Sequence, residues 1–552
     1  MSDGALPPDS AAANDAAATP LPKRWPHITL LSVLVSAVLI YVFVWHLWDS
    51  PFGDSIPNLI TYSLAALVAI VSLIWLARYA PFSRRTRLIA TAVLLAPALG
   101  YAATVRGIEW SGDMQLIVHH RWEPTDAERL LEHRESQSPA ADRIADPAPM
   151  VARPEDMPSY RGRNSQGVVV GPPLPQDWET HPPQLLWKQP CGGGYAQLAV
   201  VEPWAVTIEQ REGNEAVVCY DTTTGRERWV QEYPAEFTEA MGGPGPRATP
   251  TIADGAVYSL GAKGDLLKLS LATGEVLWRR NLLTDYDAPN TEWAMSSSPL
   301  VVDDLLVVNP GGPNGDGLVA LDRETGKPVW ERPGVQEHAS PENDSNRMGY
   351  STPFVVELLG TRQIVMFDGV GVRGYLPDTG EKLWEHRHRN GAGVNVAQPL
   401  VFDDGRIFIT CSYDVGCRML QVREMQGTWS VESLWDNKNL RCKFTSPVLH
   451  NGYIYGLDEG ILVCLDPATG QRNWKKGRYG HGQLLLTNDQ LFIHSEDGWG
   501  VLLDPDPKKW IEVTKFRTLE DPKNWNPPAL IDGKLYIRNH REMAGFDLCG
   551  ER

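Results

Sequence analysis

Tyr195, Gln197, Arg247, Trp293, Tyr350, Asn395, Gln398, Lys443, His481, Trp525 and Asn526 each fall just before an apolar segment that recurs along the 552-residue chain. Two cations, a histidine, four amides and four aromatic rings are side chains suited to a planar or anionic ligand. They would hold it by stacking, cation–π attraction and charge-assisted hydrogen bonds. If the recurring segments converge, these residues form a ligand-binding ring. A plainer reading stands beside it: connecting loops are polar because they are wet, and Trp and Tyr here would close a channel by packing.

Catalytic chemistry has little else to rest on. No Gly-rich phosphate loop, nucleophile elbow or zinc-protease motif occurs, so no catalytic or metal-ligating residue is assigned. His386 and His388 alternate and would share one strand face, but two imidazoles without a third ligand read as a solvated face. Glu239 and Glu292 lie near the ring outside any metal motif, and the ring itself is poor in acids. His119-His120 has a pKa range suited to titration near neutrality, though a membrane-proximal strand end explains the pair as well. Of seven cysteines, Cys219 and Cys464 occupy the same place in two repeats where Ala320 stands in another, which reads as small core residues. Cys411 and Cys417 flank Ser-Tyr-Asp-Val-Gly and are a candidate disulfide across a hairpin, and the odd total leaves at least one thiol unpaired.

The elements that would position the ring come from one repeated phrase. Asp221-Thr-Thr-Thr-Gly-Arg-Glu-Arg-Trp229 returns as Ser270 to Trp278, Asp322 to Trp330, Leu376 to Trp384 and Asp466 to Trp474. In every copy a Thr-Gly pair, with Gly225, Gly274, Gly326, Gly380 or Gly470, sits four residues before the Trp. An alternating apolar run precedes each phrase, so the unit reads strand, tight turn, strand. Gly supplies the positive φ of the turn, and Thr or Asp hydrogen-bonds its backbone. The Trp begins an outer strand, where a flat ring can bury itself between sheets. The Trp spacings are 49, 52 and 54 residues and then 90, which predicts a degraded copy at Trp435. Trp510 keeps the Trp without Thr-Gly, Lys534 to Leu548 lacks an outer strand, and Pro183 to Trp187 is an outer strand lacking inner ones. Joining those two ends closes a ring of eight blades without an open edge.

This phrase resembles the repeat of quinoprotein-type eight-bladed β-propellers, which include quinoprotein alcohol dehydrogenases and BamB-type outer-membrane assembly lipoproteins. Gly245-Pro-Arg-Ala-Thr-Pro250, Ser296-Ser-Ser-Pro-Leu300, Arg478-Tyr-Gly-His-Gly-Gln483 and Trp525-Asn526 look like a group of membrane-anchored propeller proteins common in planctomycetes. Tyr160 to Gly167 resembles a segment that precedes the propeller in that group. In a dehydrogenase the resemblance implies pyrroloquinoline quinone with calcium, an Asp base and often two adjacent cysteines. No adjacent cysteine pair is present, and Asp497-Gly-Trp499-Gly500 is similar to the indole floor under the quinone but equally to strand packing.

A net charge of −17 excludes a nucleic-acid footprint, and 43% hydrophobic residues with 20 Trp support a large core. Residues 1–22 read as a disordered tail. Residues 27–48, 56–77 and 88–105 contain no Lys, Arg, Asp or Glu and approach the roughly 20 residues of a membrane-spanning helix. The Arg78, Arg84, Arg85 and Arg87 loop is basic and the Asp49, Asp54 loop is not, which places the former inside and everything after Val105 outside the cytoplasm. Residues 106–158 read as a short strand, a helix opened by the Thr125–Glu128 capping box, and a Pro/Ala-rich linker. Residues 159–552 make the propeller. The expected protein is a multi-pass inner-membrane propeller on the periplasmic side, without a cofactor, binding or scaffolding a protein or cell-surface ligand. The alternative is a membrane-bound quinoprotein alcohol dehydrogenase carrying pyrroloquinoline quinone and calcium. A third reading is a ligand sensor that signals through the three helices.

Overall fold

Eight separate sheets answer to the repeats, each with four antiparallel strands; in five of them an alternating apolar run, a Thr-Gly turn and a Trp-bearing run fold back on one another. The computed structural model describes residues 24–48, 50, 53–137, 151–311, 316–333, 348–520 and 523–550. The predicted N-terminal tail, Asp49 and the middle of the predicted linker lie outside them. The chain divides into two compact units, Met1–Trp48 with Leu59–Ala103, and Asp49–Asn58 with Thr104–Arg552.

Three helices, Trp25–Leu47, Ser55–Arg78 and Arg84–Thr104, are long and apolar enough to cross a membrane. The first ends in a π-helical turn at Phe43–Leu47. Trp45 Nε1 donates to Thr61 Oγ1 at 2.9 Å, and Trp75 Nε1 to His27 Nδ1 at 3.2 Å.

In the second unit, blade one contains Ala199–Val201, Trp204–Arg211, Asn214–Asp221 and Glu227–Pro234. Six further four-strand blades begin at Leu300, Phe354, Leu400, Val448, Gln483 and, for blade two, Thr251. Blade eight joins both parts of the chain: Ala529–Ile531, Lys534–Arg538 and Glu542–Asp547 take Gln184–Pro190 as their outer strand, with Gly545 opposite Trp187. The first strands lie innermost: those of blades eight and one, one and two, two and three, and six and seven run next to each other.

The repeat phrase is an inter-blade clasp. In blade one Asp221 Oδ1 accepts from the backbone N–H groups of Thr223 and Thr224, while Gly225 turns at φ 72°. Trp187 of the preceding blade lays its ring against that turn and donates Nε1–H to Thr222 O at 2.9 Å. A Cβ on Gly225 would stand 2.7 Å from the Trp187 ring, so the Gly is required by contact as well as by φ. The same bond runs from Trp229 to Leu271 O, Trp278 to Arg323 O, Trp330 to Pro377 O, Trp435 to Pro467 O and Trp474 to Asp506 O. Two Trp residues depart for a physical reason. Blade five has a long Gly416–Met425 to Thr428–Asn437 hairpin instead of a Thr-Gly turn, and Trp384 bonds Gln363 within its own blade. Blade eight draws its outer strand from the other end of the chain, so no turn awaits Trp510, which donates to the Tyr479 hydroxyl.

The helix Asp126–Ser136 carries the expected box, with Thr125 Oγ1 accepting from Glu128 N and Glu128 from Thr125 N. The cysteine expectation is corrected by register. Cys417 faces Thr410 and Cys411 faces Gly416, so on adjacent strands the two thiols point to opposite sides of the sheet. Cys411 Sγ contacts His388 Nε2, and Cys417 Sγ contacts Asn437 Oδ1, each at 3.3 Å. His386 meets Arg418 instead, so the two imidazoles share no partner.

Trp330→Ala is expected to cost about 3–5 kcal/mol, whereas Trp330→Phe keeps the packing and loses only the indole bond, about 1 kcal/mol. Denaturant melts of the two variants check the order. Mass spectrometry of the denatured, unreduced chain is expected to find both Cys411 and Cys417 alkylatable.

Candidate functional site

Around one end of the channel a belt of hydrogen bonds passes from blade to blade. Gln197 N donates to Thr249 Oγ1, Thr249 N to Ser298 Oγ, Ser298 N to Thr352 Oγ1, Thr352 N to Gln398 Oε1, and Gln398 N to Ser446 Oγ. Gln483 Nε2 then reaches Phe444 O and Trp525 O, and Asn526 Nδ2 reaches Gly194 O and Ala196 O, closing the circle. The local cause is a polar residue followed by Pro, as in Thr249-Pro250, Ser298-Pro299, Thr352-Pro353, Gln398-Pro399, Ser446-Pro447 and Asn526-Pro527. Pro holds the residue before it extended, at the point where the chain enters each inner strand. This recurring dipeptide is a signal in the sequence that the reading of the ring did not use.

The belt divides the expected ring. Gln197, Gln398 and Asn526 are buried and their amides serve the belt or the segment inside it, while Asn395 Nδ2 donates to Asp368 O and His388 O. Tyr195, Arg247 and Trp293 gather around Gly242 and Gly243: the Arg247 guanidinium lies over the Tyr195 and Phe237 rings and donates to Gly245 O and Gly243 O. Burial pulls the Arg247 pKa down. Tyr350 is buried, and burial raises its pKa. Lys443, His481 and Trp525 form a second group, joined to the first through Tyr195 and Trp525, whose ring centroids are 5.3 Å apart. Trp499 sits in the third strand of blade seven with Lys515 and Arg517 across its ring.

Two segments of the chain itself occupy this channel. Met157 bridges Val200, Pro158 O accepts from Ile252 N, and Val168–Val169 adds a parallel strand to Gln483–Thr487. Between them Arg161, 1% exposed, donates to Leu484 O, Gln166 O and Pro447 O. A Cβ on Gly167 would fall 2.1 Å from that guanidinium. The Tyr160–Gly167 motif is thus an internal tie between inner strands.

The second segment is a hairpin, Val105–Trp110 with Leu116–His120, whose turn enters the Lys443, His481 and Trp525 group. Gly112 N donates to Glu496 Oε1 at 2.7 Å, Lys443 Nζ to Gly112 O at 3.0 Å, and Asp113 Oδ1 lies 3.2 Å from His481 Nε2. Glu496 also accepts from Trp525 Nε1 and His481 N. Arg478 pairs with both Asp113 and Asp54, while Ser55 Oγ and Asn58 Nδ2 donate to the Gly112 and Asp113 carbonyls. Further along, Glu109 meets His119, His540 and Arg541. Burial raises the pKa of Asp113, but His481, Arg478 and Lys443 outweigh it and hold the carboxyl below its usual value. Glu109 is likewise held low against burial by His540 and Arg541. Asp54 goes the other way, raised by burial despite Arg478.

Glu459 and Glu496 were missed because only the loops feeding the inner strands were read. Turns between second and third strands gather at the same end, and both residues stand in such turns before a Gly, as Glu459-Gly460 and Glu496-Asp-Gly498. The mouth is therefore not poor in acids, and most of their oxygens are engaged, while Glu459 Oε2 is buried without a hydrogen-bond partner among the described residues. Glu496 has three donors, Glu459 accepts from Ser412 Oγ, and among the described residues no three His, Cys, Asp or Glu converge in a metal-holding group. Calcium takes six to eight oxygens, normally carboxylates among them, and the described residues bring no such cluster together at the mouth.

Fold and mouth together define an eight-bladed propeller built from quinoprotein-type repeats. A family model described as outer membrane protein assembly factor BamB matches residues 181–342 and 288–476, over half of the chain, and the chain belongs to this family. It is 25% identical to outer membrane protein assembly factor BamB of Yersinia pestis over 254 residues, 45% of this chain and 59% of that one. It is 26% identical to 1-butanol dehydrogenase (quinone) of Thauera butanivorans over 153 residues, 25% of this chain and 22% of that one. The match thus spans under two thirds of either relative. The quinohemoprotein alcohol dehydrogenase of Comamonas testosteroni shares the fold with a TM-score of 0.51 at 13% identity, over 73% of this chain and 82% of that one.

The opposed shifts of Asp113 and Asp54 give a sign to test. A depressed carboxyl contributes stability above its unfolded pKa and loses it as pH falls through the folded value; a raised one opposes the folded state as pH rises. Asp113→Asn is expected to speed amide exchange across 105–120 at neutral pH, and Asp54→Asn to leave it unchanged or slow it. Acidification to below the ordinary carboxylate range should release the hairpin of the unsubstituted chain.

Proposed function

We propose that this chain is a multi-pass inner-membrane protein whose propeller faces the extracytoplasmic side and binds or scaffolds a protein partner without doing chemistry. The observation that carries the reading is the hairpin turn in the mouth, which takes up Lys443, His481 and Glu496, groups that a substrate or cofactor would need. The basic loop of Arg78, Arg84, Arg85 and Arg87 supports the orientation. Family membership supports a role among membrane assembly proteins, and the three apolar helices supply the anchor.

The quinone dehydrogenase relative makes the rival concrete. Calorimetric titration of the full chain in detergent with pyrroloquinoline quinone and calcium is expected to give no saturable heat, and crosslinking in the intact membrane to recover a protein partner. Micromolar quinone binding, weakened by Arg247→Ala, would overturn the proposal.

A further inference from the structure

Resting on that reading of the propeller as a binding module, the geometry points to the chemistry of its partner: we propose that the Lys443, His481 and Glu496 side of the mouth is a receptor for an acidic β-turn, filled in cis by Ser111–Asp113. The turn is held much as a ligand would be. Its N–H, C=O and carboxylate each meet a different propeller side chain, Glu496, Lys443 and His481, with Arg478 on the second carboxylate oxygen. The fit is close at one atom. A Cβ on Gly112 would lie 2.3 Å from His481 Cδ2 and 2.8 Å from Glu496 Oε1, although Gly112 is absent from the positive-φ residues. Gly at this place is therefore selected by the receptor surface rather than by the backbone of the turn.

The hairpin is also built to be exchangeable. It is a two-stranded sheet paired with no blade, and such ribbons are marginal alone, so its position depends on the tip and on the Glu109 cluster. With the hairpin in place His481 and Glu496 are 1% and 7% exposed, and its leaving would take Asp113 from His481 and one of three donors from Glu496. Buried polar groups left without partners cost more than their bonds contribute. A displacing partner must consequently restore the same three groups, an N–H, a C=O and a carboxylate in turn geometry. A partner protein presenting an exposed Gly-Asp turn does so; an apolar or basic surface does not.

The test uses the full chain in detergent and a cyclised peptide of residues 110–116, Trp-Ser-Gly-Asp-Met-Gln-Leu. A tethered turn competes at an effective concentration on the order of millimolar, so the unsubstituted chain should not bind the peptide at micromolar concentration. Gly112→Val should expel the hairpin, seen as loss of amide protection across 105–120, and create peptide binding. A peptide with Asn in place of Asp, or Lys443→Met added to the variant, should weaken that binding about tenfold or more. Should Gly112→Val fail to fold, Asp113→Lys sets a cation against Arg478 and opens the mouth by repulsion. An expelled hairpin without peptide binding overturns the proposal, as does equal affinity for the Asp and Asn peptides or a hairpin that stays protected in both variants. Partner crosslinking persisting through such a failure would leave the binding module standing and remove only the acidic turn.

Discussion

Closure of the ring is the constraint on which the remaining structure depends. Gln184–Pro190 pairs with Glu542–Asp547, and Trp187 clasps the turn at Thr222 and Gly225. Without that strand blade eight would present an unpaired edge, and blade one would lose the indole that covers its turn. The two ends of the domain are thereby joined through one sheet, so each blade is held by neighbours on both sides.

A closed ring brings polar residues to one end, and the belt through Gln197, Thr249, Ser298, Thr352, Gln398, Ser446, Gln483 and Asn526 shows how they are used. From Thr249 to Ser446 side-chain oxygens accept backbone N–H groups that no strand ladder reaches, and the Gln483 and Asn526 amides donate to backbone carbonyls, which is the obligation of any buried backbone. What is left for recognition is smaller than the ring: a basic and aromatic group at Arg247, and the site under the hairpin. In a chain of net charge −17 this end gathers Lys443, Arg478, Lys523 and Arg541, and the acidic groups that meet them at Glu109, Asp113 and Asp54 come from outside the blades.

Much of the architecture was legible in the sequence because it is periodic. The Thr-Gly to Trp offset marked five blades, the spacing exposed the degraded copy at Trp435, and the incomplete ends predicted their own union. The site was legible only in part. Loops before inner strands were read, whereas Glu459 and Glu496 enter from the turns after second strands, and a one-residue register difference removed the Cys411–Cys417 pair. Two imidazoles at His386 and His388 likewise found separate partners.

The sequence by itself determined the repeat, the turn glycines, the outer-strand Trp residues and three apolar helices, since each follows from local chemistry recurring at a fixed interval. Only the tertiary structure decided what fills the mouth. Gly112 meets Glu496 across 384 residues of chain, Asp113 meets His481 across 368, and Arg161 meets Leu484 across 323. Neither segment repeats, so no period announces it. Their places are set by where a closed ring leaves buried groups in need of partners.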